Sequence, residues 1–360
     1  MHTFLEENNL ILQHKEFKSF LINKRLNNPY YKFKNQLVVC IDFFIYVYKF
    51  NYSCENMLYG FVTQILKFLS NGIIPVYIID GESTEHKEDT LNERRVKQNK
   101  LVERLEILKR EINLVEEKLS KIQSTSCTDH FSEELEYLEK LLSLTTEEER
   151  IKKSIITITK DDIANIYKIF QVFKIPYIKA KGEADFLCAK LYTEGIVLTC
   201  LSSDTDLLPL GCGSVVQFKK GVLYEYDLDY ILEKLQIDYI QFVDFCILLG
   251  CDYIKTLPNI DSKIAYIYIK KFKTIENIIR RTKFNKNNDN YCSFKNKYKI
   301  VRDIYIYSGS DEPLPTTFKP ITPKLDKTLI INSLTSLSCI ENKNCEFVVR
   351  KINMINRYRN

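Results

Sequence analysis

The chain has 360 residues, 45% hydrophobic and 28% charged, with a formal net charge of +5, a composition that suits a sizeable buried core and excludes wholesale disorder. No apolar run reaches the roughly 18 residues of a membrane span, and the start, MHTFLEENNL, lacks the basic-then-apolar order of a secretory signal. Eleven scattered cysteines without a C-x-x-C pair read as reduced thiols, while four histidines and ten glycines, with no G-x-x-x-x-G-K-[ST] or G-x-G-x-x-G loop, disfavour zinc sites, histidine acid–base chemistry, nucleotide-driven motors and dinucleotide redox.

In chain order, Leu37–Ile41 is a short apolar, β-branched run that predicts a buried parallel strand. Tyr59–Leu69 has apolar residues at helical spacing, and Ile73–Ile79 is a second buried strand. Between Gly81 and Lys153 the pattern changes: Leu101, Leu105, Leu108, Ile112, Val115, Leu119 and Ile122 form a heptad seam. A polar loop, Ser124–His130, then leads to a helix over about Ser132–Leu144 that is expected to present Leu135, Leu138 and Leu142 to that seam. An intramolecular helical hairpin is favoured over a dimeric coiled coil, because the partner helix is next in sequence. Asp161–Phe173 predicts a helix with an acidic first turn, Ile175–Ile178 a strand, and Glu183–Glu194 a helix ended by Gly195. Strands are expected at Ile196–Leu201 and Ser214–Phe218; beyond Val222 the chain reads as helical, at Leu228–Leu235, Tyr239–Gly250 and Ser262–Arg280. Pro313–Pro323 should be extended, and a last helix lies near Glu346–Arg357. Strands alternating with helices give an α/β class with a mostly parallel central sheet flanked by helices.

The strand ends carry acids. Leu37–Ile41 ends in Asp42, Ile73–Ile79 in Asp80, and Ile196–Leu201 runs into Asp204 and Asp206. Glu183 and Asp185 open a helix after a strand, and Asp252 follows one. Singly, each pair reads equally as a turn or as ordinary helix-start acids. Parallel sheets, however, bind ligands at the carboxyl ends of their strands. Seven like charges gathered there require cations, and an oxygen-only donor set points to Mg²⁺, with Mn²⁺ able to substitute. A second charge feature accompanies them. Lys263–Arg302 holds twelve Lys/Arg against Glu276 and Asp289, a local +10, which leaves −5 for the rest of the chain. Such polarity suits a polyanionic partner, although a solvated lysine-rich surface is the bland alternative. Acids beside a basic block suggest phosphodiester hydrolysis assisted by two metal ions.

Three segments resemble the flap endonuclease family of structure-specific 5′ nucleases: PVYIIDG at Pro75–Gly81 followed by Lys87 and Arg94, IPYIKAKGEADFLCAKLYTEG with SSDTDLLPL at Ile175–Leu210, and QFVDFCILLGCDY at Gln241–Tyr253. The resemblance implies that Asp42, Asp80, Glu183, Asp185, Asp204, Asp206 and Asp252 hold two Mg²⁺ ions, with Asp185 standing where the family usually has Glu. It implies that Lys87 and Arg94 neutralise the scissile phosphate and that Tyr48 stacks on a nucleobase, a residue whose spacing alone reads as core. Arg95, Lys263, Lys270, Lys271 and Lys273 become DNA-binding candidates. It further implies one 5′-nuclease domain over residues 1–360, with a helical arch inserted at 82–153 and a helical duplex-binding region at 224–302. Within that region, 253–275 corresponds to a helix–two-turns–helix element.

The expected activity is cleavage of 5′ flaps at single-strand/duplex junctions in replication and repair, with 5′-to-3′ exonuclease activity. The alternatives are a relative preferring nicks, gaps or junctions, and a non-catalytic DNA-binding homologue. The expected partner is branched or nicked duplex DNA with a 5′ single strand, bound by a monomer inside the cell, in the nucleus or, for a viral chain, at a cytoplasmic replication site; no membrane is involved. The chain departs from the family pattern at Met1-His2, at Phe43-Phe44 after the first aspartate, and at Pro258-Asn259-Ile260-Asp261-Ser262, where the family has a glycine-rich turn. No Q-x-x-[LI]-x-x-[FY]-[FY] clamp-binding peptide occurs.

Overall fold

A computed structural model describes residues 1–81, 88–124, 131–155, 158–257, 259–282, 289–307, 309, 312–314, 318–340 and 342–357. The elements are α1 (His2–Glu7), β1 (Leu12–His14), α2 (Phe17–Asn27), β2 (Leu37–Asp42), α3 (Phe43–Ser53), α4 (Met57–Ser70), β3 (Ile73–Ile79), α5 (Glu88–Ser124), α6 (Phe131–Ser154), α7 (Lys160–Phe173), β4 (Tyr177–Lys179), α8 (Ala184–Thr193), β5 (Cys200–Leu201), β6 (Ser214–Lys219), β7 (Val222–Asp227), α9 (Leu228–Leu235), α10 (Tyr239–Leu249), α11 (Ser262–Phe272), α12 (Ile275–Arg281), α13 (Asp289–Tyr307), α14 (Lys327–Ser336) and α15 (Asn342–Arg357). They form two compact units, one of Met1–His86 with Asp161–Asn360 and one of Lys87–Lys160. Among the described residues no helix is long and apolar enough to cross a membrane.

The first unit is built on a seven-stranded sheet in the order β1-β7-β6-β5-β2-β3-β4. The pairings from β6 through β5, β2 and β3 to β4 are parallel; β1–β7 and β7–β6 are antiparallel. Every residue of β2 and β3 is buried, so their unbroken apolar runs reflect helices on both faces. The chain passes from β2 to β3 and β4 on one side, then returns to β5 on the other. That reversal beside β2 is a topological switch point, where parallel sheets open a crevice at the carboxyl ends of their strands.

The mostly parallel sheet agrees with the sequence reading, but several details differ. Beyond Val222 the sequence reads as helical; β7 there instead forms a hairpin with β6 through Lys220 and Gly221, both at positive φ (49° and 81°), the two-residue turn that matches strand twist. Of the expected strand Ile196–Leu201 only Cys200–Leu201 is strand, although Leu198 N–H still donates to Val38 O at 2.9 Å. The expected single helix Ser262–Arg280 is two helices, α11 and α12, broken where Lys273 turns to φ 72° and Thr274 caps α12 by accepting from Asn277 N–H.

The second unit is an antiparallel helical hairpin. Leu108, Ile112 and Val115 of α5 are buried against Leu144 and Ile151 of α6, flanked by Leu101, Leu105, Tyr137 and Leu141. Arg104 binds Glu147 at 3.1 Å toward one end and Gln123 binds Glu134 at 2.9 Å toward the other. The seam read on α5 is therefore used within the chain. The α6 face differs from the expected one: Leu135, Leu138 and Leu142 are 49%, 42% and 69% exposed. The stripe Tyr137–Leu141–Leu144–Ile151 lies roughly a quarter turn or more away, since each residue advances about 100°, and two helices bury only one stripe each.

Candidate active site

The acids are positioned by the switch point. Asp42 ends β2 and is the N-cap of α3, accepting from Ile45 N–H at 3.4 Å; Ser202 Oγ donates to its other oxygen at 3.4 Å. Asp80 directly follows β3, and its Oδ1 accepts from Ala184 N–H at 2.7 Å, tying it to the start of α8. Glu183 is the backbone N-cap of α8, and Asp185 lies in its first turn. After β5 the chain makes a tight turn in which Asp204 N–H donates to Ser202 Oγ at 3.0 Å and Asp206 N–H to Asp204 Oδ1 at 2.8 Å. The parallel register places Asp42 opposite Ile78 of β3, and Ile41 opposite Leu201 of β5, so all three strand ends emerge at one edge.

The electrostatics link the acids. Burial first, with the nearby charges of Asp80 and Asp204 adding, pushes the Asp42 carboxyl up to about 8. Burial, then Asp204 and Asp252, pushes Asp206 up to about 7, against a bond from Tyr305 and the positive Met1 amino group. Burial, together with the charges of Glu183 and Asp185, raises Tyr253 far above its ordinary value. Tyr253 therefore stays protonated, and its hydroxyl donates to Glu183 Oε2 at 3.0 Å. Thus Asp42, Asp80, Asp204, Asp206 and Asp252 feel one another's charge, while Glu183 and Asp185 interact with Tyr253, and the start of their helix is tied to Asp80 through Ala184 N–H.

Among the described residues no group of three or more His, Cys, Asp or Glu side chains is arranged to hold a metal ion as it stands. The donor set nevertheless fits a hard divalent cation. It is all oxygen, and two of its carboxylates, Asp42 and Asp206, are driven toward the protonated form by burial and by neighbouring acids, the repulsion that such a cation relieves.

Three supporting residues lie beyond the sequence reading. Tyr305 on α13 donates to Asp206 Oδ2 at 3.2 Å. Ser202 bridges Asp42 and Asp204. Tyr253 lies inside a motif without being singled out by it. Only Ser202 and Tyr253 carry a signal, adjacency to the acids; Tyr305 is 99 residues from its partner.

The other candidates fall into three groups. Lys87 and the side chain of Arg94 lie outside the described residues, as does Pro258. Tyr48 is 49% exposed on α3, contrary to the core position its spacing suggests. It lines a depression of about 390 Å³ with Ile45, Tyr46, Lys49, Ser202, Ser203, Gln217, Phe218 and Lys219, and so neighbours the acidic turn. Arg95 on α5 and Lys263, Lys271 and Lys273 are exposed. Lys270 and Arg302 are turned to structural use. Lys270 Nζ donates to Leu235 O at 3.3 Å and Gln236 O at 3.1 Å, closing the end of α9. Arg302 donates to buried Asp244 at 2.7 Å and to Glu276 at 2.8 Å. In the turn before α11, Asn259 adopts φ 63°, a left-handed conformation that Asn tolerates better than most residues. Asp261 is the N-cap of α11, accepting from Ile264 N–H at 2.8 Å.

Comparison with known proteins bears on the family and the fold. Residues 19–101 match the XPG N-terminal domain and residues 174–252 the XPG I-region. The chain is 30% identical to flap endonuclease 1 of Entamoeba dispar over 255 residues, 69% of this chain and 58% of that protein. It is 30% identical to flap endonuclease 1 of Enterocytozoon bieneusi over 265 residues, 72% of this chain and 63% of that protein. It thus spans somewhat under two thirds of the length of these relatives. In fold it is similar to flap endonuclease-1 from Methanococcus jannaschii, with a TM-score of 0.62 at 17% identity and 98% of each chain covered. It is also similar to the catalytic core of Rad2 in complex with DNA substrate, with a TM-score of 0.63 at 17% identity, covering 98% of this chain and 99% of that one. Both XPG regions, each carrying part of the carboxylate edge, and the match to flap endonuclease 1 sequences place the chain in the flap endonuclease family.

Proposed function

We propose that the protein is a metal-dependent, structure-specific nuclease that hydrolyses DNA phosphodiesters where a 5′ single strand meets duplex, with accompanying 5′-to-3′ exonuclease activity. The observation that supports this reading is the set of carboxylates at the switch-point edge of the sheet, where Asp42 feels the charges of Asp80 and Asp204, and Asp206 those of Asp204 and Asp252. Asp42, Asp80, Glu183, Asp185, Asp204, Asp206 and Asp252 would hold two Mg²⁺ ions, which supply water activation and stabilisation of the leaving oxygen. Around them the chain's own groups orient the acids: Tyr253 holds Glu183, Tyr305 holds Asp206, and Ser202 spaces Asp42 from Asp204. Tyr48 offers an exposed aromatic face beside the acidic turn for a nucleobase, Lys87 and Arg94 neutralise charge developing on the phosphate, and exposed Lys263, Lys271 and Lys273 hold duplex phosphates. A protein acting on DNA in this way would work in the nucleus or, for a viral chain, at a cytoplasmic replication site.

The test is a cleavage assay of the purified protein on flap, nick, gap, bubble and four-way-junction DNAs with Mg²⁺. Flap substrates should be cut near the junction on the 5′ strand, leaving 5′-phosphate products, and EDTA should stop the reaction. Preferential cutting of nicks, gaps or four-way junctions would replace the flap assignment, and no cutting of any of them would overturn the nuclease reading.

A further inference from the structure

Glu312 lies in the segment after α13, far in sequence from the acidic edge, and is only 4% exposed. Both its carboxylate oxygens are used. Oε2 accepts from Lys181 N–H at 2.9 Å and Oε1 from Gly182 N–H at 2.7 Å. Its own carbonyl accepts from Lys190 Nζ at 2.6 Å, anchoring the segment to α8. Pro313 follows, and a residue before proline is restricted to extended backbone.

The loop so held is the one that presents Glu183 and Asp185. It leaves β4, the last strand of the sheet, so no further strand stands beyond it to accept from its amides. On the inner side Gly81 N–H donates to Gly182 O at 2.7 Å, and Ala180 N–H to Ile79 O at 2.9 Å. A Cβ at Gly81 would collide with the carbonyl oxygens of Ala180 and Lys181. At Gly182 it would stand 3.2 Å from Glu312 Oε1. The loop is therefore gripped between the β3 end, which carries Asp80, and Glu312. Two adjacent amides bound by one buried carboxylate form a charge-assisted pair, stronger than neutral hydrogen bonds.

We propose that Glu312 is a positioning residue for the metal-binding carboxylates, clamping Lys181–Gly182 so that Glu183 and Asp185 stand in register with Asp80. The proposal rests on the metal-dependent reading above. Losing the clamp leaves two loop amides without their acceptor and frees the start of α8, while leaving every carboxylate present. Groups that orient metal ligands typically change metal affinity or activity about 10–100-fold when altered.

The experiment compares wild type with Glu312→Gln, which retains one acceptor oxygen, and with Glu312→Ala. Mn²⁺ binding to the protein alone is measured by calorimetry or electron paramagnetic resonance, the thermal midpoint by circular dichroism, and cleavage of a 5′-flap DNA across a Mg²⁺ series. Glu312→Gln should weaken Mn²⁺ binding and raise the half-saturating Mg²⁺ about 10-fold, with the rate at saturating Mg²⁺ within about threefold of wild type. Its thermal midpoint should stay within a few degrees, and Glu312→Ala should be weaker still in metal binding. If Glu312→Ala does not fold, Glu312→Gln decides. Wild-type Mn²⁺ affinity in the folded variants would overturn the proposal, as would a loss of cleavage that saturating Mg²⁺ does not restore. Wild-type protein that binds Mn²⁺ but cuts no DNA defeats the nuclease reading alone, and the Mn²⁺ comparison still judges Glu312. Wild-type protein that binds no Mn²⁺ overturns both.

Discussion

The carboxylate edge and the basic segment of α11–α13 carry opposite charge and are held in opposite ways. At the edge, the acids bond to protein donors: Asp42 to Ile45 N–H, Asp80 to Ala184 N–H, Glu183 to Tyr253, Asp206 to Tyr305. In the basic segment, Lys263, Lys271 and Lys273 stand exposed while Arg302 is tied to Asp244 and Glu276, and Lys270 to the end of α9. The difference follows from desolvation. Asp42 and Glu183 are buried, and a buried carboxylate is costly without donors and is therefore fixed in place. A lysine at the surface keeps its hydration and waits for a partner. Geometry thus separates the charges left exposed from those tied into the fold, which a count of twelve Lys/Arg does not.

The largest effect should come from breaking the acidic edge. Asp204→Asn or Asp80→Ala should slow flap cleavage by about 10³-fold or more while DNA affinity measured in EDTA stays near wild type, because metal ligands are removed but phosphate-binding groups remain. Cleavage at near wild-type rate in either variant would remove these residues from the metal site.

Next in size is a charge tied into the fold. Arg302→Ala strands the buried Asp244, and removing one partner of a buried pair costs about 3–5 kcal/mol. Denaturant unfolding should show this loss, and a change below about 1 kcal/mol would mean that the pair is not structural. Its pH signature is a contest. Burial raises Asp244 although Arg302 opposes the shift, whereas Arg302 lowers the half-buried Glu276. The Glu276 contribution is present above its unfolded value and is lost as pH falls through its lowered folded value.

A smaller effect should follow from exposed lysines. Lys263→Ala with Lys271→Ala should weaken binding to flap and plain duplex DNA about equally and lower the salt slope by about 0.9 for each phosphate no longer neutralised. The check is the dissociation constant across a salt series, and an unchanged slope would leave these lysines as solvated surface. The smallest effect should be that of Lys270→Ala. Its ammonium closes a helix end, worth about 0.3–1 kcal/mol of stability, and the DNA salt slope should stay as in wild type. A lowered slope would move Lys270 into the DNA grip.

Much of the site is legible in the sequence because its signal is local. A β-branched run ending in Asp42 or Asp80 announces both a buried strand and an acid at its carboxyl end, and parallel pairing sends those ends to one edge. The hairpin β6–β7 is legible too, in Lys220-Gly221 between alternating runs, but the strong helical pattern beyond it masks β7. On α6 the leucines nearest the expected period suggest one seam, and the structure buries a different stripe.

The strand-end carboxylates, the α/β class and the α5 seam are readable from residue order, because each depends on neighbours within a few residues, where backbone period and burial act directly. That Tyr305 holds Asp206, that Glu312 binds the loop before Glu183, and that Lys270 and Arg302 are tied to other elements follows from packing alone. Those pairs join residues 26 to 131 positions apart. No local periodicity encodes them; they exist because a buried donor or acceptor must find a partner wherever packing brings one within reach.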